Sequence, residues 1–475
     1  MAVDLTVPLS WETAAGDAAI MLKELQANIV KGHVRDALVM MFLQFGDRGD
    51  ARAFLSALVP LMKSAKRHLN EVKDYKAKGT SGTTYVGVGL TKEGYDALGI
   101  AALPADASFR RGMKDPGSRQ TLADPPPSVW EAPYRQAIHA VVLIGDSRDA
   151  PVNARHNEIL ALLPDTATVL GEETGLTQLN DHGDPIEHFG YIDGRSQPLF
   201  LEEDIAAERD RTDGTDAWDP AAPLDRVLVA DPAAPDPNVH FGSYFIFRKL
   251  EQNVRRFKQA EEDLADTLGL KGRDRDLAGA MLVGRFRDGT PLTLQRGDGS
   301  HHPIMNNFTY DSDGQGTKCP FHAHIRKTNP RGSGGAEPPQ DERRHLMARR
   351  GQTYGERADV PFDDSVPPHS RPREGVGLLF MAFNANINID DNPPLAQFDF
   401  TQNLWANNPD FPRVPPVPHG LDPVIGQGPR QRQTYPTQWA GTQTQEVDAI
   451  AQAVRMKGGE YFFMPSLAFL RSLSP

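Results

Sequence analysis

Four stretches of the chain set side chains capable of chemistry beside residues that would aim them. The first, Phe189 to Pro198 (FGYIDGRSQP), places Asp193 directly before Gly194, with Gly190 shortly upstream. Glycines at such places let the backbone turn tightly or let another group approach closely. A carboxylate held between them is aimed by the backbone rather than by a long side chain. An Asp-Gly pair is also an ordinary turn, and taken alone this stretch reads as either.

The second stretch, Cys319 to Arg331 (CPFHAHIRKTNPR), carries His322 and His324. Neutral imidazole binds haem iron and zinc alike. The two rings share a face if the segment is extended and point apart if it is helical. The further Cys or carboxylate ligands of a zinc site are missing nearby. Arg326, Lys327 and Arg331 offer cations that would pair with propionates, which favours haem. The third stretch, His345 to Gly355 (HLMARRGQTYG), supplies Arg349 and Arg350. An arginine stays charged at any working pH and stabilises a developing anion in a closed pocket, but a basic run is also an ordinary solvated face. The fourth, Gly377 to Asn384 (GLLFMAFN), alternates Leu378 and Phe380 on one face of a strand and reads equally as plain core. No phosphate loop, nucleophile elbow or dinucleotide fingerprint is present.

The elements that must position these residues alternate between strand and helix. Ala37 to Phe45, Tyr85 to Leu90, Ala137 to Gly145 and Ala167 to Leu170 read as strands. Ala51 to Leu69 and Asn153 to Leu163 read as helices, the first disturbed by Pro60. Thr91 is placed to cap a short helix. This order approximates β-α-β-β-α-β, the ferredoxin-like plan. The second half repeats it in order, not in residues. Ser243 to Arg248, Gly375 to Ala385 and Tyr461 to Met464 read as strands, and Glu251 to Leu268 and Asp399 to Asn407 as helices. Leu201 to Asn238, rich in Asp, Pro and Ala, reads as a solvated connection. The expectation is an α+β protein of two ferredoxin-like domains with antiparallel sheets, residues 1–235 and 236–475.

Bulk properties narrow the function classes. The 475 residues are 39% hydrophobic and 24% charged, an ordinary globular composition. Asp plus Glu outnumber Lys plus Arg by 63 to 51, and the net charge of −12 argues against binding a nucleic-acid backbone. Cys319 is the only cysteine, so no intrachain disulfide forms. The opening MAVDLTVPLSWET shows no export signature, and no run approaches membrane-spanning length. A cytoplasmic protein that binds no membrane is expected.

Taken together, the four stretches resemble the dye-decolourising peroxidase family. The family's Gly-x-x-Asp-Gly motif stands here as Gly190, Tyr191, Ile192, Asp193 and Gly194. PFHAHIRKTNPR resembles its proximal-histidine segment, mapping the iron ligand to His324. The arginine ahead of the Tyr-Gly end maps to Arg349, and the LLF stretch to distal apolar residues Leu378 and Phe380. Further similarity lies in NIVKGH (Asn28 to His33), FRKLEQNV (Phe247 to Val254), WANNPDFP (Trp405 to Pro412) and GGEYFFMPS (Gly458 to Ser466). The resemblance runs in order over nearly the whole chain. Gly351 and Thr353 depart from residues common in relatives, and the long loops resemble the larger subfamilies.

The resemblance implies paired ferredoxin-like domains of the dimeric α+β barrel type, with one haem b in the C-terminal domain. It also implies a peroxidase that uses hydrogen peroxide to oxidise dyes, phenols and other small or bulky aromatic donors through a high-valent haem, with an acidic optimum. Asp193 would be the acid/base and Arg349 would stabilise the peroxide charge. Asp390, Asp391 and Asp399 are candidate partners for the second nitrogen of His324, and Trp405 is a candidate electron relay. The implied fold is compatible with a homo-oligomer. A haem carrier or iron-release protein is the rival reading; it shares His324 but has no use for Asp193 and Arg349. A non-haem binding protein of the same fold is a third.

Overall fold

The computed structural model describes residues 2–474 apart from 212, 300–303, 336, 362, 364, 391–392 and 414–417. Its N-terminal half begins with β1 (Ala37–Phe45), in which every residue except Gln44 is buried. A strand covered on both faces needs an unbroken apolar run, and ALVMMFLQF supplies one. Helix α1 (Arg48–Leu58) follows, with the Asp47 carboxylate accepting from the Asp50 amide at 2.9 Å. Pro60 then divides what the spacing predicts as a single helix. Val59–Leu61 tightens into a 3₁₀ turn, and α2 (Ala65–Lys78) starts afresh under a Ser64 cap.

The rest of this half is β2 (Tyr85–Leu90), β3 (Ala140–Asp146), α3 (Asp149–Leu162) and β4 (Ala167–Leu176). Thr91 caps the short helix after β2, accepting from the Gly94 amide at 2.9 Å. The C-terminal half is built on β5 (Phe241–Gln252), α4 (Val254–Thr267), β6 (Gln352–Tyr354), β7 (Gly377–Asn384) and β8 (Val454–Met464). The Asn253 side chain caps α4. The predicted helix at 399–407 is one turn, Phe398–Phe400, running into a π-helical stretch, Thr401–Ala406.

Side by side, these eight strands run β4-β1-β3-β2-β8-β5-β7-β6, and every neighbouring pair is antiparallel. Each half thus has its fourth strand beside its first, its first beside its third and its third beside its second. That is the ferredoxin-like arrangement twice over. The halves meet where Phe463 of β8 pairs with Leu90 of β2. The outer strands are also tied, because the Gln352 amide on β6 donates to Asp36 O at 3.0 Å and also to Arg35 O. Thr353 Oγ1 donates to Leu176 O at the end of β4.

The connection at 201–238 is not the solvated linker that its composition predicts. It forms helix Glu202–Arg209, and Leu201, Ile205, Trp218, Leu224 and Val227 are buried. Asp231 is fully buried and accepts from both the amide and the hydroxyl of Ser466 at 2.8 Å. The scattered apolar residues between the Asp and Pro positions are what anchor this segment. Among the described residues no helix is long and apolar enough to cross a membrane.

Replacing Gln352 with Ala should strand the carbonyls it satisfies and cost about 1–3 kcal/mol. The loss would appear as a lower urea midpoint at unchanged slope. An unchanged midpoint would mean that β6 is tied to the N-terminal half without this side chain.

Candidate functional site

A cavity of about 240 Å³ opens between the two halves, walled by the Gly190–Gly194 loop, β7, the helix at His324 and the π-helical stretch. A single water needs only about 10–15 Å³, so the space is sized for a ligand. All four chemistry-bearing stretches contribute to its lining.

His324 is the first residue of a short helix, His324–Thr328, and its ring lines the cavity. Its Nδ1 lies 2.7 Å from Asp422 Oδ2. The other Asp422 oxygen accepts from the Val424 and Ile425 amides at 2.7 and 3.0 Å. Burial opposes charge on Asp422, but the His324 ring and these amides outweigh it and hold the carboxyl below its ordinary range. In a neutral ring whose Nδ1 donates to this carboxylate, Nε2 carries the lone pair that a metal would need. His322 goes the other way, into the core, with its ring edge-on to Tyr435 at 4.6 Å. Burial, reinforced by Lys327, pushes its pKa down to about 3 and keeps it neutral. Among the described residues no group of three or more His, Cys, Asp or Glu is arranged to hold a metal ion. Among those residues the zinc alternative has no ligand set, whereas an iron carried by a porphyrin needs only one protein ligand.

The partner of His324 is none of the three aspartates expected. Asp399 accepts from Ser108 at 2.6 Å and Tyr461 at 3.1 Å. Asp390 faces Arg111 at 3.7 Å, and Asp391 lies outside the described residues. Asp422 is 98 positions from His324 and carries no local mark in the sequence.

The Gly-x-x-Asp-Gly loop folds on itself. Gly190 and Gly194 sit at φ +91° and +80°, where a side chain would be strained. The Glu187 carboxylate accepts from the Phe189 and Tyr191 amides, and the Asp193 amide donates to Pro185 O at 2.9 Å. Asp193 is thereby left half-buried on the cavity wall. Tyr191 also lines the cavity, and its hydroxyl donates to Glu261 at 2.5 Å.

Arg349 lies on a two-residue strand paired with β7 opposite Ala382. Its amide donates to Gln197 Oε1 at 3.0 Å and its Nη2 to Arg195 O at 3.1 Å. The rest of the guanidinium faces the cavity. Leu378 and Phe380 line the same space from alternate positions of β7, while Leu379 between them points into the core.

Arg326 requires a correction. Its guanidinium turns away from the cavity and is buried between the Tyr310 and Phe321 rings. There it donates to Asp313 Oδ2 at 2.8 Å, Asp313 O at 2.9 Å and Cys319 O at 2.5 Å. Paired with the Asp313 carboxylate and away from the cavity lining, it cannot bind a propionate. Lys327 is likewise buried, donating to Asn408 O and Gly420 O. Of the three cations anticipated, Arg331 alone reaches the cavity, joined by Arg195 and Arg285, which sequence reasoning missed. Arg195 directly follows the Gly-x-x-Asp-Gly motif and was findable; Arg285 has no such mark. Burial lowers Arg331 to about 9 and Arg285 to about 10, and their guanidiniums are satisfied by carbonyl, hydroxyl and amide oxygens. Arg195 is paired with Glu208 at 2.6 Å, whereas Arg285 and Arg331 have no carboxylate partner among the described residues. A cavity with apolar faces, an imidazole and these two cations fits a porphyrin bearing two carboxylates.

Trp405 is 2% exposed and packs with Phe400, Phe411 and His345. His345 stacks on Phe400 at 3.5 Å and lines the cavity, so this aromatic cluster reaches the cavity wall.

A family profile described as the DyP dimeric alpha+beta barrel domain matches residues 24–177. The chain is 62% identical to the multifunctional dye peroxidase DyP2 of Amycolatopsis sp., over the full length of both. Peroxidase 2 of Mycetinis scorodonius is 28% identical, over 99% of this chain and 90% of that one. Among solved structures, DyP2 superposes with a TM-score of 0.95 at 61% identity, covering 99% of this chain and all of the other. A DyP-type peroxidase of Anabaena sp. superposes at 0.89 with 39% identity, covering 99% of both.

Asp422→Ala should free the His324 ring to rotate and weaken haem affinity by about 10–100-fold, read by titrating the apoprotein and following the Soret band. Unchanged affinity would show that the ring is oriented by something else.

Proposed function

Because the chain belongs to the dye-decolourising peroxidase family, we propose that its cavity holds one haem b, that His324 Nε2 would be its iron ligand, and that Asp193 and Arg349 would attend hydrogen peroxide in the same cavity. The observation that carries this reading is the His324–Asp422 pair opening onto the same cavity as Asp193 and Arg349. Bound there, the haem supplies the redox chemistry, the splitting of the O–O bond and the withdrawal of single electrons from a reductant.

The chain's own residues do the remaining work. Asp422 keeps the Nδ1 proton on His324 and makes Nε2 a stronger donor. Arg331 and Arg285, which have only uncharged oxygen partners, would lend positive charge to the propionates from the cavity wall in place of Arg326. Leu378 and Phe380 give the cavity an apolar wall, beside which charge interactions are stronger than in water. The Asp193 carboxylate would accept a proton from one oxygen of hydrogen peroxide and return it to the other. Arg349 stabilises negative charge on the peroxide oxygens as they separate. A pure haem carrier would have no use for an acid and a cation in the same cavity as His324.

Small phenols can approach such a cavity directly, whereas a bulky dye cannot. For those donors we place Trp405 as an electron relay, because its ring contacts lead through Phe400 and His345 to the cavity wall.

Two measurements test this reading. Asp193→Asn and Arg349→Leu should both retain haem. The first should slow the reaction with one equivalent of peroxide by about 10²–10⁴-fold, and the second by about 10²–10³-fold. Full rates in both variants would return the molecule to haem carriage. Trp405→Phe should lower turnover of a large anthraquinone dye while sparing a small phenol; equal turnover of both would leave Trp405 a packing residue.

A further inference from the structure

Arg350 stands beside Arg349 in the chain and does something different. Its side chain is 8% exposed and does not line the cavity. Its Nε donates to Asn28 O, one Nη to Ile29 O and the other to Arg349 O, each at 2.9 Å. No carboxylate is among these partners. Burial first, then the charge of Arg35, lowers it to about 9. Burying a cation without a counter-ion is costly, and a neutral side chain would fill the same space more cheaply.

The receiving segment is part of NIVKGH, the family-like stretch that no step of the peroxidase reading uses. It is shaped for this guest. Asn28 sits at φ +74°, and its side-chain oxygen accepts from the His33 amide at 3.0 Å, closing the loop. Gly32 lies against the guest, 3.7 Å from Arg350 Nε at its Cβ position, an ordinary packing distance. The result is a carbonyl socket in the N-terminal half for a guanidinium from the C-terminal half.

The consequence falls on Arg349. Its N–H donates to Gln197 Oε1, and its C=O accepts from the Arg350 side chain, so the peptides on both sides of its Cα are held. The peptide that follows Arg349 is also held through its N–H, the Arg350 amide, which donates to Met381 O at 2.7 Å, and the Arg350 carbonyl accepts from Arg35 at 3.1 Å. A guanidinium is a rigid planar fork, so it fixes the directions of the carbonyls it binds. We infer that Arg350, seated in the carbonyl socket of Asn28 and Ile29, is a positioning residue that sets where the Arg349 guanidinium sits in the cavity. This rests on the catalytic reading of Arg349. Arg350→Lys keeps the charge and loses the fork.

The test is a double-mutant cycle on the haem-loaded protein with Arg350→Lys, Arg349→Leu and their combination. It reads both the rate of reaction with peroxide and the equilibrium affinity of the ferric protein for cyanide, which involves no turnover. Misplacing a catalytic group by about 1 Å can cost ~10²-fold. Arg350→Lys, which can still reach one or two carbonyls, should therefore lose about tenfold in rate and weaken cyanide binding in parallel. In the Arg349→Leu background the same change should have no further effect, because Arg350 acts through Arg349. Arg350→Gln, a second variant of similar reach, should follow the same pattern with a larger loss.

An equal loss in both backgrounds would mean that Arg350 supports the fold at large, and the inference would fall. So would wild-type behaviour of Arg350→Lys and Arg350→Gln while Arg349→Leu is slow. If Arg349→Leu itself reacts and binds cyanide as the wild type does, the catalytic reading of Arg349 fails first and takes this inference with it.

Discussion

The 2.7 Å contact between His324 Nδ1 and Asp422 is the interaction on which the site depends. A neutral imidazole can carry its proton on either nitrogen, and a ring that turns or changes tautomer is a poor metal ligand. A fully buried carboxylate, itself fixed by the Val424 and Ile425 amides, removes both freedoms. The surroundings reinforce the arrangement. Lys327 holds Gly420 O and Arg430 donates to Asp422 O, so the loop that presents the carboxylate is pinned from two sides. Two residues of the PFHAHIRK segment expected at the propionates, Arg326 and Lys327, instead act as internal struts.

Charge organises the rest of the cavity. Arg285 and Arg331 are buried among oxygen acceptors that carry no formal charge, and Arg349 presents part of its guanidinium to the same space. Positive charge enclosed in this way makes the cavity a receptor for anions. It suits the carboxylates of a porphyrin on one side and the charge that develops on a breaking peroxide on the other. Arg350 belongs to the same economy, although its guanidinium is turned toward the N-terminal half and not toward the cavity.

Much of this was legible in the residues. β1 and β2 have the bounds that the apolar runs predict, because strands covered on both faces announce themselves as unbroken apolar segments. Asp193, His324, Arg349, Leu378 and Phe380 all reach one cavity. What stayed hidden was of three kinds. Asp422 meets His324 across 98 positions, a distance that no local pattern spans. Arg326 and Arg285 show that an arginine's sequence neighbours do not reveal whether it faces a cavity or a buried carbonyl. The connection at 201–238 was misjudged because its Asp and Pro content outweighs, in composition, the few apolar residues that bury it. Pro60 was legible as a disturbance, but not as the division of one helix into two.

The account stands on His324 Nε2 as the ligand of a haem in this cavity. The most direct measurement is a haem titration of the apoprotein beside His324→Ala, with and without added imidazole. The wild type should take up one equivalent with a sharp Soret band. The variant should bind weakly, and imidazole from solution should restore the wild-type band. A His324→Ala protein that binds one equivalent with wild-type affinity and spectrum would contradict the account.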